Sequence, residues 1–279
     1  MMQSSSPSRH VSSRDKTAGT RLKQTTRTLD ATSSAQRLIV DIGNTSAKIY
    51  LFEGDVALKE IRVSHEELCS QLINIIKKQS IEASIISSVV PLSDDILTTL
   101  KQLPTPCLQM SAQLKLPFST AYRTPHTLGT DRLAAATGAW HEQPDHDLLI
   151  IDIGTAITYD IVTAEGIHLG GNISPGIDLR LKALNHFTGK LPLISKEGHR
   201  VPLGDTTETA IREGVLQGID YEIEGYIRAY RNKYPGLLVF LTGGDAFRLD
   251  NRTKSRTFAD DLLVAKGLNQ ILRLNNETK

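Results

Sequence analysis

The text RLIVDIGNTSAKIYLF at 37–52 returns as LLIIDIGTAITYDIV at 148–162, with Asp41 matching Asp152 and Gly43 matching Gly154 at an offset of 111 residues. That spacing is too long for a solenoid, whose units run roughly 20 to 50 residues, and it requires two similar structural units in one chain. In each copy an apolar strand ends in Asp-x-Gly, the chain reverses, and a second and a third strand follow. The first copy predicts strands over 38–43, 46–55 and 56–63, a helix over 64–79, a strand over 82–90, a short helix over 93–101 and a strand over 106–110. Ser64 as N-cap and Glu67 three residues on form a capping box, and Leu68, Leu72, Ile75 and Ile76 keep to one helical face. The second copy predicts a third strand over 165–173, helices over 175–187, 206–230 and 260–274, and a strand over 237–245 containing Gly243-Gly244. Ile211, Val215, Ile219 and Ile223 share one face of the longest helix.

Composition narrows the function classes. With 39% hydrophobic and 23% charged residues the 279-residue chain is globular. No stretch approaches the roughly 18 to 20 apolar residues of a membrane span, which argues against a transmembrane protein and a membrane partner. Cys69 and Cys107 have neither metal-ligand nor disulfide-scaffold spacing and read as reduced thiols of a cytoplasmic protein. The net charge of +1 hides an asymmetry: residues 1–37 hold seven basic and two acidic groups, leaving 25 basic and 29 acidic on the rest. The mildly acidic body argues against a nucleic-acid footprint on a folded face. Residues 1–37, rich in Ser, Thr and Arg, read as a disordered basic tail. A targeting peptide or a nucleic-acid-binding arm is the functional alternative, although the segment has neither an apolar core nor an amphipathic stripe. The expected division is a tail over 1–37, a first domain over 38–128 and a second over 129–279.

Both Asp-x-Gly turns place a carboxylate at the carboxyl end of a strand, followed by Asn44-Thr45-Ser46 in one copy and Thr155-Ala156 in the other. Such a turn points backbone N–H groups outward, and glycine lets a ligand approach closely, which together suit phosphate. Lys48 stands where it meets the same charge, and Asp41 and Asp152 suit hard cations such as Mg²⁺ or a monovalent ion. Asp and Gly are also the default residues of a plain hairpin turn, but two copies at duplicated positions favour phosphate. The chain has no G-x-x-x-x-G-K-[ST] loop and no strand-linked G-x-G-x-x-G. The remaining mode of nucleotide binding is that of the actin-like and sugar-kinase superfamily, in which ATP sits in a cleft between two duplicated ribonuclease H-like α/β domains.

Further motifs narrow the resemblance. DIGNTSAK (41–48), GTDR (129–132) with Tyr122 seven residues upstream, DIGTAITYD (152–160), GGNISPG (170–176) and TGKLP (188–192) follow one another in the order found in the type III pantothenate kinases, which the chain resembles from Leu38 almost to its end. The resemblance implies ATP-dependent phosphorylation of the primary hydroxyl of pantothenate, the first step of coenzyme A synthesis. It implies that Asp41, Ile42, Gly43, Asn44, Thr45, Ser46, Ala47 and Lys48 form the ATP phosphate and Mg²⁺ site. By the same resemblance Thr155 contacts ATP, and Asp152 binds a monovalent cation, potassium or ammonium. Asp131 resembles the catalytic base, and Tyr122, Gly129, Thr130, Arg132 and Thr207 the substrate contacts. A homodimer is expected on the same ground.

Each assignment has a plainer alternative. Asp131 could be a helix N-terminal charge, with Thr130 as the cap. Arg132 suits a carboxylate through its planar fork but could be a surface helix residue. Thr207 is one residue from Thr206, and either could cap the long helix. Gly243-Gly244 stands where the superfamily holds adenosine but could be a structural turn. Trp140 reads as core rather than as a stacking surface, and the eight histidines read as structural or solvated. Another kinase or an exopolyphosphatase of the same superfamily, and a non-catalytic regulator resembling the Bvg accessory factors, are the competing functions.

Overall fold

The computed structural model describes residues 36–246 and 257–276, so nearly all of the expected tail lies outside the described residues. The chain opens with an antiparallel meander, β1 (Gln36–Ile42), β2 (Ala47–Glu53) and β3 (Val56–Val63), and continues through α1 (His65–Lys78) to β4 (Ile81–Ser88), which lies parallel to β1. α2 (Asp94–Leu100) and β5 (Cys107–Gln109) complete a sheet of order β3-β2-β1-β4-β5. The expected capping box closes α1: Ser64 Oγ accepts the Glu67 N–H at 3.3 Å while a Glu67 carboxylate oxygen accepts the Ser64 N–H at 3.2 Å.

The second half begins with β6 (Ser119–Thr120) and α3 (Thr130–Glu142) and then repeats the plan: β7 (Leu148–Ile153), β8 (Ala156–Thr163) and β9 (Ile167–Pro175). Then come α4 (Ile177–His186), α5 (Thr207–Lys233), β10 (Leu238–Thr242), β11 (Thr257–Ala259) and α6 (Leu263–Asn276). Its sheet reads β11-β10-β7-β8-β9-β6, so β9-β8-β7-β10-β11 reproduces the order of the first sheet. The duplicated ribonuclease H-like α/β architecture expected from the repeat is therefore present. β6 and β11, two and three residues long, were not foreseen because a period-2 pattern cannot declare itself over so few positions.

Burial explains why the first strand of each copy is a continuous apolar run. Ile39 of β1 and Leu148 and Ile150 of β7 enter one central core, while Leu38 and Val40 and, in the second copy, Leu149 and Ile151 enter separate outer cores. A strand covered on both faces has no position to spare for a polar residue. The outer core of the first sheet is closed by Leu68, Leu72 and Ile75 of α1, and that of the second by Ile211, Val215, Ile219, Ile223 and Ile227 of α5. The central core holds α3 and α6 between the two sheets. These helices touch through small residues: a Cβ on Gly267 would lie 1.8 Å from the Ala134 carbonyl oxygen, and one on Gly138 2.2 Å from that of Leu263. Trp140 packs against this core, as expected.

Candidate active site

Asp41 is the penultimate residue of β1, paired across the hairpin with Lys48 and across the parallel junction with Ser87 of β4. The turn closes with the Gly43 N–H donating to Ser46 O at 3.0 Å, which leaves Asn44 and Thr45 exposed at its tip. Ile42 and Ala47 are in the outer core, so a ligand in this turn meets their backbone only. One contact that the sequence did not announce braces the turn: His65, the first residue of α1, places Nε2 3.0 Å from Gly43 O.

The second hairpin has Asp152 at the matching place, between Thr158 of β8 and Thr242 of β10. Its turn is one residue shorter, since Ile42 pairs with Ala47 but Ile153 pairs with Ile157. The cross-strand partner of Asp152 is therefore Thr158 and not Tyr159, and since neither is basic the two turns differ in charge. Thr155 is exposed at the tip, and its carbonyl accepts the Gly176 N–H at 3.0 Å. Gly243 closes over Asp152: it has a φ of +96°, and a Cβ there would lie 2.4 Å from Asp152 Oδ1 and 2.5 Å from Ile153 O. Only glycine fits both the backbone angle and the space.

The third carboxylate comes from the start of α3. Gly129 is the N-cap, and it supplies no side chain. Asp131, in the first turn, accepts the Arg132 N–H at 2.9 Å. Thr130 is therefore not the cap; its hydroxyl lies 3.2 Å from that of Ser87 on β4, tying the helix start to the first sheet. Arg132 is not a surface residue, being 5% exposed, and its Nε and Nη2 grip the two Asp160 oxygens at 2.9 and 2.7 Å. That edge of the fork is taken, which leaves the Nη1 N–H groups and the second N–H of Nη2, on the side where Tyr122 also meets the guanidinium. The Tyr122 ring lies 5.6 Å from the guanidinium carbon.

The electrostatics show that Asp41, Asp131 and Asp152 share one region. Burial pushes the Asp152 carboxyl up to about 7, with further upward pressure from the Asp131 and Asp41 charges. Burial pushes Asp41 up to about 6, Lys48 opposing and Asp131 adding. Asp131 is raised by burial against the pull of the Arg132 N–H and charge. Three carboxylates that disfavour one another's ionisation beside one lysine make a site that a cation would relieve. Among the described residues no group of three or more His, Cys, Asp or Glu side chains could hold a metal alone. Carboxylate oxygens of this kind suit a hard cation such as a Mg²⁺ that keeps several waters, or a monovalent ion.

Thr207 stands apart from these carboxylate contacts. Thr206 is the N-cap of α5, its Oγ1 accepting the Thr209 N–H at 3.1 Å, and Thr207 is the first helical residue. Thr207 lines a groove of about 930 Å³ between α4 and α5, walled by Leu179, Leu184, Phe187 and Val215 and reaching Pro175, next to Gly176. Sequence reasoning also missed Asp160 and His168, both fully buried behind Arg132. Asp160 lay inside the repeated motif, but its partner is on another element. His141 belongs to α3.

A family model described as type III pantothenate kinase matches residues 37–229. A type III pantothenate kinase of Bacteroides fragilis (strain YCH46) is 49% identical over 239 residues, covering 86% of this chain and 98% of that protein. One from Phocaeicola vulgatus is 46% identical over 240 residues, covering 86% and 99%. Among solved structures, a Baf family protein from Campylobacter jejuni is similar with a TM-score of 0.59 and 24% identity, covering 86% of this chain and 99% of that one, a likeness of fold alone. With relatives of this identity matched over nearly their whole length, the chain belongs to the type III pantothenate kinase family.

Proposed function

We propose that this chain transfers the γ-phosphoryl group of ATP to the primary hydroxyl of pantothenate, with Asp131 as the base. The observation that carries the reading is the Thr130–Ser87 contact at 3.2 Å, which holds the start of α3, and with it Asp131, beside the strand residue that pairs with Asp41; burial raises the Asp131 carboxyl there. A carboxylate of raised pKa is better matched to taking a proton near neutral pH than an ordinary one. As the acceptor oxygen bonds to the γ-phosphorus, its proton passes to an Asp131 oxygen. The bond from the γ-phosphorus to the bridging oxygen breaks with its electron pair leaving on ADP, so no covalent enzyme intermediate is required.

The other residues bind and orient. The amides and hydroxyls of Gly43, Asn44, Thr45 and Ser46, with Lys48, hold phosphates, and Thr155 offers its hydroxyl from the opposite turn. Asp41 would hold Mg²⁺ and Asp152 a potassium or ammonium ion; bound there, these ions neutralise phosphate charge. Gly129 and Thr130 let the acceptor approach the α3 N-terminus, Tyr122 walls it, and Arg132 contributes the guanidinium N–H groups that Asp160 leaves available. Thr207 would meet the acceptor from the α4–α5 groove.

We read the lobes as 38–128 and 129–279 and the working form as a homodimer. Ile173, Phe187, Leu193, Leu203 and Tyr221, all of the second half and all at least 59% exposed, support an interface there. The free thiols Cys69 and Cys107 suit the cytoplasm.

An ADP-release assay with ATP and Mg²⁺, with and without pantothenate, in potassium and then sodium salt, tests the activity. Turnover should require pantothenate and rise with potassium. Asp131→Asn should lose about 10²- to 10⁴-fold in kcat while still binding ATP. Normal turnover in that variant would refute the base assignment.

A further inference from the structure

Behind Arg132 the side chains close into a ring. Arg132 grips Asp160 of β8; Asp160 Oδ1 lies 2.8 Å from Nε2 of His168 on β9; and His168 Nδ1 lies 3.2 Å from Thr120 Oγ1 on β6. Thr120 Oγ1 accepts the Tyr122 N–H at 3.2 Å, and the Tyr122 ring returns to the Arg132 guanidinium. Arg132, Asp160 and His168 are 5%, 1% and 0% exposed. Every link is satisfied with the His168 Nε2–H donating to Asp160 and the Thr120 hydroxyl donating to Nδ1, and the Arg132 and Asp160 charges then offset each other, as burial favours. Burial acts to raise the Asp160 carboxyl, but the His168 and Arg132 hydrogen bonds outweigh it and hold it below the usual range. Asp160 thus stays ionised while the carboxylates of the cleft do not readily do so.

A buried ion pair adds little stability over apolar side chains of the same volume, so the ring is better understood through what lies at its open end. Arg132 directly follows Asp131 and donates its backbone N–H to that carboxylate, and the guanidinium N–H groups that Asp160 leaves available belong to the same residue. Rotation of the guanidinium would leave that backbone contact in place but would move the group offered to the acceptor beside Asp131. We infer that Asp160 and His168 are positioning residues: through the fork of Arg132 they set the geometry with which the acceptor substrate is held against Asp131. The inference rests on the function proposed above.

The test uses the full chain and measures KM for pantothenate and for ATP separately, with the water exchange of the Arg132 Nε–H followed by ¹⁵N NMR. His168→Leu should raise the pantothenate KM about tenfold or more, leave the ATP KM within about twofold, and accelerate the exchange. His168→Gln, which keeps a donor toward Asp160, should recover most of the loss. Thr120→Val, at the exposed end of the ring, should give a smaller change of the same selectivity, and it carries the test if His168→Leu does not fold. Equal changes in both KM values without rescue by Gln, or unchanged exchange, would overturn the inference while leaving the kinase reading intact. A wild type without pantothenate-dependent turnover removes both together.

Discussion

Replacing Asp152 by Asn should make the ligand-free protein more stable, although the residue is placed in the active site. The Asp152 carboxyl is pushed from 3.8 up to about 7, first by burial and then by the Asp131 and Asp41 charges. Because the folded state binds this proton more tightly than the unfolded one, stability falls as pH rises from the unfolded value, near 4, through about 7. A shift of this size corresponds to roughly 4 kcal/mol of strain at pH 8, at about 1.4 kcal/mol per unit. Asn removes the charge but still buries an amide, which costs about 1 to 3 kcal/mol. The net gain is then ~2 kcal/mol, or roughly 4 to 8 °C in Tm for a domain of this size. Scanning calorimetry at pH 8 and pH 5, in sodium and in potassium, measures it. The gain should be present at pH 8 and absent at pH 5, and potassium should stabilise the wild type at pH 8 but not Asp152→Asn. A variant less stable than wild type at pH 8 would refute the claim that this carboxylate is held ionised against its surroundings.

Lys48→Met should weaken ATP binding and move the acidic limb of the kcat/KM profile upward, because the Asp41 carboxyl, already pushed up to about 6 with Lys48 lowering it, rises further once that charge is gone; a pH–rate profile checks the direction. Gly267→Ala should destabilise by about 1 to 3 kcal/mol through overpacking, since its Cβ would lie 1.8 Å from the Ala134 carbonyl and must force α3 from α6. Denaturant unfolding measures the loss, and a neutral variant would show that the helices do not touch there.

Much of this protein was legible in the residues alone. The Asp-x-Gly repeat at 41–43 and 152–154 determined the duplication, and the apolar runs beside it determined which strands are central, because a strand buried on both faces must be apolar at every position. Ser64 and Glu67 declared the start of α1 for an equally local reason: the capping box is complete within four residues. The residues matching a motif carried the candidate site as far as naming Asp41, Asp131 and Asp152. What their proximity does to them was not legible, since a carboxyl responds to burial and to neighbours contributed by other elements. The one-residue difference between the turns illustrates this: it is a single absent letter in the text, but the strand register makes it decide that Thr158, not Tyr159, stands opposite Asp152. Arg132 shows the limit most clearly. Its fork was read as open to a substrate carboxylate, yet Asp160, 28 positions away, occupies one edge of it, with His168 and Thr120 behind. Local pattern determined which residues are the candidates for the chemistry; which of their atoms remain available was decided only when separate strands and a helix were packed together, because hydrogen bonds and desolvation depend on distance in space and not along the chain.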